Sequence, residues 1–253
     1  MATRLRLRFQ GQRSALLLRA VVFFVTLWFA ASGGARAVPI LFFVLASLWA
    51  YATSFENVKP YRASFIALVA ASAVAAMGGT PAAWFLLPAA LVAYAIFGLK
   101  ARYFVYRTRI HYVVTLALTY GSLFLFLSSD RSQWFMVKLA LAGGVLFFLW
   151  KEFFSAALEN RIVGQDYRTG ERPPRYEAIL GALLALATTE VAWAASLLPM
   201  SGMNAANLSF LAAFVIGDVI QKKVEGTFSR NAMLVGVTVA VFGTIFILAT
   251  SSW

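Results

Sequence analysis

The sequence predicts an all-α, polytopic transmembrane bundle of about nine spans, with its N-terminus in the cytoplasm and its C-terminus on the outer side of the membrane. Of the 253 residues, 61% are hydrophobic and 13% are charged, whereas an average soluble domain carries about 25% charged residues. Apolar runs of about 17 to 22 residues recur along the chain, the length of helix that crosses a hydrocarbon core of about 30 Å. Lipid offers the backbone no hydrogen-bond partner, so such runs form helices or barrel strands, and they are too long for strands.

The predicted spans follow the apolar runs in chain order, and prolines or charged residues separate most of them. The spans are Ser14–Ala31, Val38–Phe55, Ala63–Met77, Ala82–Leu99, His111–Leu127, Trp134–Trp150, Tyr176–Leu198, Ala206–Ile220 and Asn231–Ala249. Four span starts have prolines at or just before them, where a missing N–H costs nothing: Pro39, Pro60, Pro81 and the pair Pro173–Pro174.

The basic residues give an independent indication of orientation. With these spans, 19 of the 22 Lys and Arg residues fall in or beside the N-terminal tail and the second, fourth, sixth and eighth loops. Only Arg36 and Arg131 lie on the opposite side, and Lys138 lies within a span. Because cytoplasmic loops carry an excess of Lys and Arg, the tail and these loops are predicted to be cytoplasmic.

An alternative concerns the first span. Arginines, an apolar stretch and then Ala35-Arg36-Ala37 also fit a secretory signal peptide with an A-x-A cleavage site. Cleavage there would leave eight spans with both ends outside.

Residues 1–253 are predicted to form a single membrane domain whose longest connection, residues 151–175, is cytoplasmic. Phe154, Ala157, Leu158 and Ile162 recur at helical spacing in its first part, which predicts an interfacial helix continuing from the sixth span. The remainder is polar and rich in Gly and Pro, and we expect this loop to be the place where a protein partner binds.

Several classes of chemistry are excluded or unsupported. The chain has no cysteine and one histidine, so thiolate catalysis is excluded and a metal site lacks ligands. No catalytic motif or cofactor motif is found, so we expect no cofactor, and a role without enzymatic activity is favoured. The net charge of +12 is explained by basic residues on the cytoplasmic side of the spans. This distribution favours membrane lipids with anionic headgroups, rather than nucleic acid, as partners.

Polar residues at membrane depth are the candidate site, because intramembrane charge is expensive and often functional. Glu190 lies near the middle of the seventh predicted span, after Thr188 and Thr189. It either holds a proton or cation on a transport path or joins two helices as a neutral or paired carboxyl. Lys138, one turn into the sixth span, either extends outward to the interface or reaches Glu190.

Three further residues are secondary candidates. Asp218 precedes Lys222 by four residues, the spacing of an ion pair on one face of a helix. His111 stands at the cytoplasmic start of the fifth span, beside Arg107 and Arg109, where an interfacial position is expected.

The C-terminal third resembles a group of bacterial multipass membrane proteins with no assigned activity. The resemblance rests on Glu190-Val-Ala-Trp193, Leu198-Pro199, and Gly226-Thr-Phe-Ser-Arg230 followed by a span that ends near Trp253. It implies a location in the bacterial cytoplasmic (inner) membrane and carries over no functional residue.

Three functional hypotheses remain open. The first is a small transporter-like bundle in which Glu190 is the coupling or substrate site and Lys138 its partner. The second is a non-catalytic subunit or assembly factor of a membrane complex. The third is a lipid-processing enzyme that uses Asp218, His111 and the basic cytoplasmic face.

Overall fold

The computed structural model describes residues 2–33, 37–53, 61–77, 83–101, 104, 106–128, 135–164 and 176–251. These residues form nine α-helices and no strand. The helices are α1 (Ala2–Ser32), α2 (Ala37–Ala52), α3 (Arg62–Met77), α4 (Ala83–Lys100), α5 (Arg107–Ser128), α6 (Phe135–Gly164), α7 (Tyr176–Leu197), α8 (Gly202–Glu225) and α9 (Arg230–Ala249). The predicted all-α class is therefore confirmed.

Six of these helices are long and apolar enough to cross a membrane: α1, from Ser14 onward, and α5 to α9. The other three, α2, α3 and α4, are apolar but shorter, with 16 residues each in α2 and α3. Sixteen residues of helix rise about 24 Å, less than the hydrocarbon thickness of about 30 Å. The described part therefore has the character of a multi-pass membrane protein with six candidate spans.

Two helices are longer than their predicted spans. α1 begins at Ala2 instead of Ser14, so the arginine-rich segment continues the helix, because Arg and Leu are good helix formers. α6 runs without a break through the predicted interfacial helix as far as Gly164. The cleavage-site residues Ala35 and Arg36 and the polar loop at 165–175 lie outside the described residues.

The chain divides into two compact units, residues 1–114 and 115–253. That both belong to one membrane domain stays a prediction. In the first unit, α1 packs against α2, α3 and α4. Aromatic rings fill the contacts: Phe23 of α1 meets Phe43 of α2 edge-on at 5.2 Å, and Tyr51 of α2 stacks on Phe65 of α3 at 4.3 Å.

In the second unit, α7 lies between α6 and α8, and α9 packs on α8. Glycines allow the close approaches: a Cβ at Gly217 of α8 would come within 2.8 Å of the fully buried Trp150 ring of α6. Only 6% of the apolar window of α9 is buried. Such apolar exposure is typical of a surface that meets lipid rather than water.

Gly181 tests the packing of α6 on α7. A Cβ there would lie 2.8 Å from the backbone N of Lys151, so Gly181→Ala must push the two helices apart. We expect a loss of about 1–3 kcal/mol in the free energy of unfolding, measured by thermal unfolding in detergent.

Gly236→Ala is the matched control, because its nearest neighbour would be a Val215 methyl at 3.8 Å. Alanine is the better helix former by about 1 kcal/mol, so this variant should be as stable as the wild type or more so. Equal destabilisation of both variants would contradict the described α6–α7 contact.

Candidate functional site

One face of α7 is buried against its neighbours, and the opposite face forms an exposed stripe. The buried face includes Leu184, Thr188 and Ala192. The exposed stripe follows the alternating four- and three-residue spacing of a coiled-coil seam, and we call it the α7 outer stripe: Ile179, Leu183, Leu186, Glu190, Trp193 and Leu197. Its apolar members are 44–66% exposed. None of the described helices of the second unit covers this face.

Glu190 is the single charged residue of the α7 outer stripe. Its side chain is exposed on the unit surface, and it makes no hydrogen bond or ion pair with any described residue. The neighbouring hydroxyls of Thr188 and Thr189 donate to carbonyl oxygens of their own helix, at 2.7 Å and 2.6 Å. The carboxylate therefore points away from α6 and α8, among apolar side chains.

Lys138 lies on α6, half-buried, and does not pair with Glu190. A Cβ at Gly143 would lie 3.1 Å from the Thr189 hydroxyl oxygen, so the Gly143 position faces α7. Lys138 precedes Gly143 by five residues, which turns it about 140° around the helix axis away from that direction. The two candidate residues are thus on adjacent helices but on different faces.

The predicted ion pair on α8 forms. Lys222 Nζ donates to Asp218 Oδ2 at 2.6 Å, with the two side chains 32% and 26% exposed. The helix ends three residues later, where Gly226 adopts a left-handed conformation (φ 72°) and its N–H donates to the Lys222 and Lys223 carbonyls. Such a pair contributes about 0.3–0.5 kcal/mol, and here it supports the end of α8.

His111 is buried, with 1% of its surface exposed, rather than at an open interface. Its ring meets that of Tyr61 edge-on at 4.8 Å. Tyr61 has a positive φ of 65°, unusual for a bulky residue, and its hydroxyl oxygen accepts a hydrogen bond from Arg107 Nη2 at 3.2 Å. His111 therefore helps to hold the start of α3 against the start of α5.

The residues that sequence reasoning missed lie at the C-terminal end of α2. Lys100, the last residue of α4, is 6% exposed, and its ammonium donates to the Tyr51 carbonyl and lies 3.8 Å from the centre of the Tyr51 ring. Arg19 of α1 donates to the Thr53 carbonyl at 2.9 Å. The two cations satisfy carbonyls that the helix end leaves open. The sequence offered only one signal for this contact. It was a basic residue that ends one apolar run and could lie close to the end of another.

Across the described part of the chain, no three His, Asp or Glu side chains lie close enough together to hold a metal ion. Comparison of the chain with protein-family models, with curated proteins and with solved structures found no match. The site must therefore be interpreted from its own geometry.

Replacing Lys100 with methionine tests the helix-end contact. Lys100→Met keeps the length of the side chain but leaves the Tyr51 carbonyl without its donor, so we expect a loss of about 1–3 kcal/mol in the free energy of unfolding. Thermal unfolding in detergent measures it. Lys223→Met, which removes an exposed lysine of α8, should change the midpoint little. If the two variants unfold alike, Lys100 has no special role.

Proposed function

We propose that this chain is a nine-span protein of the bacterial cytoplasmic membrane, with its N-terminus inside and its C-terminus outside, that serves as a non-catalytic subunit of a membrane assembly. The six long apolar helices support membrane insertion. The one-sided distribution of 19 of the 22 basic residues supports nine crossings, because a different number would scramble it.

The observation that carries the assembly role is Glu190 in the α7 outer stripe. A carboxylate that faces lipid near the middle of a span costs about 2.5–3.5 kcal/mol on insertion scales. A neighbouring helix that offers a cation or a hydrogen-bond donor would offset this cost. The stripe has the spacing of a helix-packing seam, and a single polar residue in such a seam fixes the register of its partner.

The partner that fits this stripe is a transmembrane helix of another protein with a basic residue at the depth of Glu190. Charge complementarity favours it over a second copy of this chain, which would bring two carboxylates together in a parallel pairing. The loop at 151–175, whose first part continues α6, is a further predicted contact for such a partner.

Transport is the second candidate function, because an intramembrane carboxylate is also typical of ion pathways. A coupling site needs an enclosed, hydrated path, whereas Glu190 lies on the outer face of its own unit. The lipid-processing hypothesis has the least support, since Asp218 is paired with Lys222 and His111 packs against Tyr61.

Cross-linking in native membranes tests the assembly role, because the chain has no cysteine of its own. A photoreactive maleimide on Leu186→Cys, in the α7 outer stripe, should give a discrete adduct with another polypeptide. The same probe on Phe242→Cys of α9, which is 69% exposed, should give lipid adducts. Mass spectrometry identifies both. An adduct with residues 1–114 of the same chain would favour transport instead, and an adduct with a second copy would contradict a heterologous partner.

The charge of Glu190 should control that contact. With Leu186→Cys as the probe site, Glu190→Lys should lower the yield of the protein adduct more than tenfold, because like charges in an interface cost several kcal/mol. Glu190→Gln should lower it less. Glu177→Gln, at the start of the same helix, is the control for general charge loss. An unchanged yield in Glu190→Lys would show that the carboxylate takes no part in docking.

A further inference from the structure

Trp193 is the one aromatic member of the α7 outer stripe, and it lies beside Glu190. The two residues are three positions apart, the spacing at which side chains on one helix face are neighbours, with Cβ atoms about 5–6 Å apart. The Trp193 residue is 44% exposed, and its ring makes no aromatic contact and no hydrogen bond with any described residue. An indole face is therefore available next to the carboxylate.

A headgroup anchor is the usual explanation for a Trp near the end of a span. The helix α7, however, continues for another turn beyond Trp193, which places the ring about 6 Å inside the helix end. The exposed residues that follow, Leu197 and Leu198, are apolar. Anchoring therefore does not account for the place of the ring beside Glu190. Indole faces attract cations more strongly than other aromatic rings do, which suits a ring next to a carboxylate that needs a cationic partner.

Small residues line the other side of Glu190. Ala187 precedes it by three positions and Ala194 follows it by four, so at about 100° per residue both lie on one side of it. Leu186 and Trp193 lie on the other side by the same geometry. Ala194 is exposed and Ala187 is half-exposed. Because small residues let helix backbones approach closely in membranes, a partner helix can lie along the alanine side and extend one long side chain across Glu190.

We propose that the basic residue that pairs with Glu190 is an arginine whose guanidinium group stacks on the Trp193 ring. This inference rests on the proposed docking of α7 and specifies the chemistry of its partner. A guanidinium group is planar, so its edge donates two parallel hydrogen bonds to a carboxylate while its face packs on an aromatic ring. A lysine ammonium is a compact, strongly hydrated point charge without a planar face. Arginine thus meets the requirements of both side chains at once.

The test measures the binding of synthetic transmembrane helices to the full chain in lipid vesicles. Each peptide is an apolar run of about 20 Leu and Ala residues with one Arg, Lys or Met seven positions from one end, because Glu190 lies seven positions before the end of α7 at Leu197. Energy transfer to a labelled peptide from a donor on Lys223→Cys, an exposed position of α8, reports binding. We expect the Arg peptide to bind about fivefold more tightly than the Lys peptide, and both to bind more tightly than the Met peptide.

Variants of Trp193 test the role of the ring. Trp193→Leu keeps an apolar side chain but removes the ring, so it should abolish the difference between the Arg and Lys peptides. Trp193→Tyr keeps an aromatic face and should retain most of the difference. Trp28→Leu is the matched control, because Trp28 of α1 is also exposed, at 58%, and belongs to the other unit. It should leave the preference for the Arg peptide unchanged.

The arginine inference and the docking of α7 fail in different ways. Equal binding of the Arg and Lys peptides to the wild type, with the Met peptide below both, would overturn the arginine inference and leave docking at Glu190 intact. A preference for the Arg peptide that survives Trp193→Leu would overturn the role of the ring. Equal binding of all three peptides to the wild type would show that the carboxylate recruits no cation, and the proposed docking would fail together with this inference.

Discussion

Backbone hydrogen bonding is the constraint on which the rest of this structure depends. Inside a bilayer no water is available to N–H and C=O groups, so each apolar run must satisfy its own backbone by forming a helix. Helix formation leaves the last carbonyls and first amides of each helix open. The ends of the helices are therefore where polar side chains are needed, and the outer faces are where they are costly.

The described helix ends meet this requirement in different ways. Ser201 and Ser229 cap the N-termini of α8 and α9 through their side-chain oxygens, and Gly226 closes the C-terminus of α8 with a left-handed turn. The C-terminus of α2 instead receives two cations from other helices, Arg19 and Lys100. This end of the first unit is thus both a structural joint and a concentration of positive charge.

The outer face of α7 shows the opposite requirement. Its exposed side chains are apolar, as lipid demands, except Glu190. A carboxylate that faces lipid in that position costs about 2.5–3.5 kcal/mol, and a partner that covers it would offset this cost. Glu190 can therefore belong to a transport path or to an interface, depending on which groups face its carboxylate.

The sequence was sufficient to predict the helical class, the order of the helices and most of their centres, because length and hydropathy determine them. The ends were less predictable, since α1 and α6 extend into charged segments that favour helix as much as the apolar runs do. Which cation is buried was not predictable either. Lys100 and Arg102 look alike in sequence, and only the packing of α4 against α1 and α3 brings Lys100 to an open carbonyl of α2. The spacing of Leu186, Trp193 and Leu197 places Glu190 in an apolar stripe along α7. Spacing alone, however, does not distinguish a stripe that faces lipid from one that is buried.

The shorter helices α2, α3 and α4 decide whether the chain crosses the membrane nine times, and α3 is the most direct case. Asn57 and Gly79 flank α3, and the chain has no other cysteine to interfere with labelling. Single variants Asn57→Cys and Gly79→Cys, treated in spheroplasts with a membrane-impermeant maleimide, measure on which side each position lies. Nine spans predict that Gly79→Cys reacts from outside, whereas Asn57→Cys reacts only after permeabilisation. Reaction of both positions from the same side would show that α3 does not cross, and the proposed topology would be wrong.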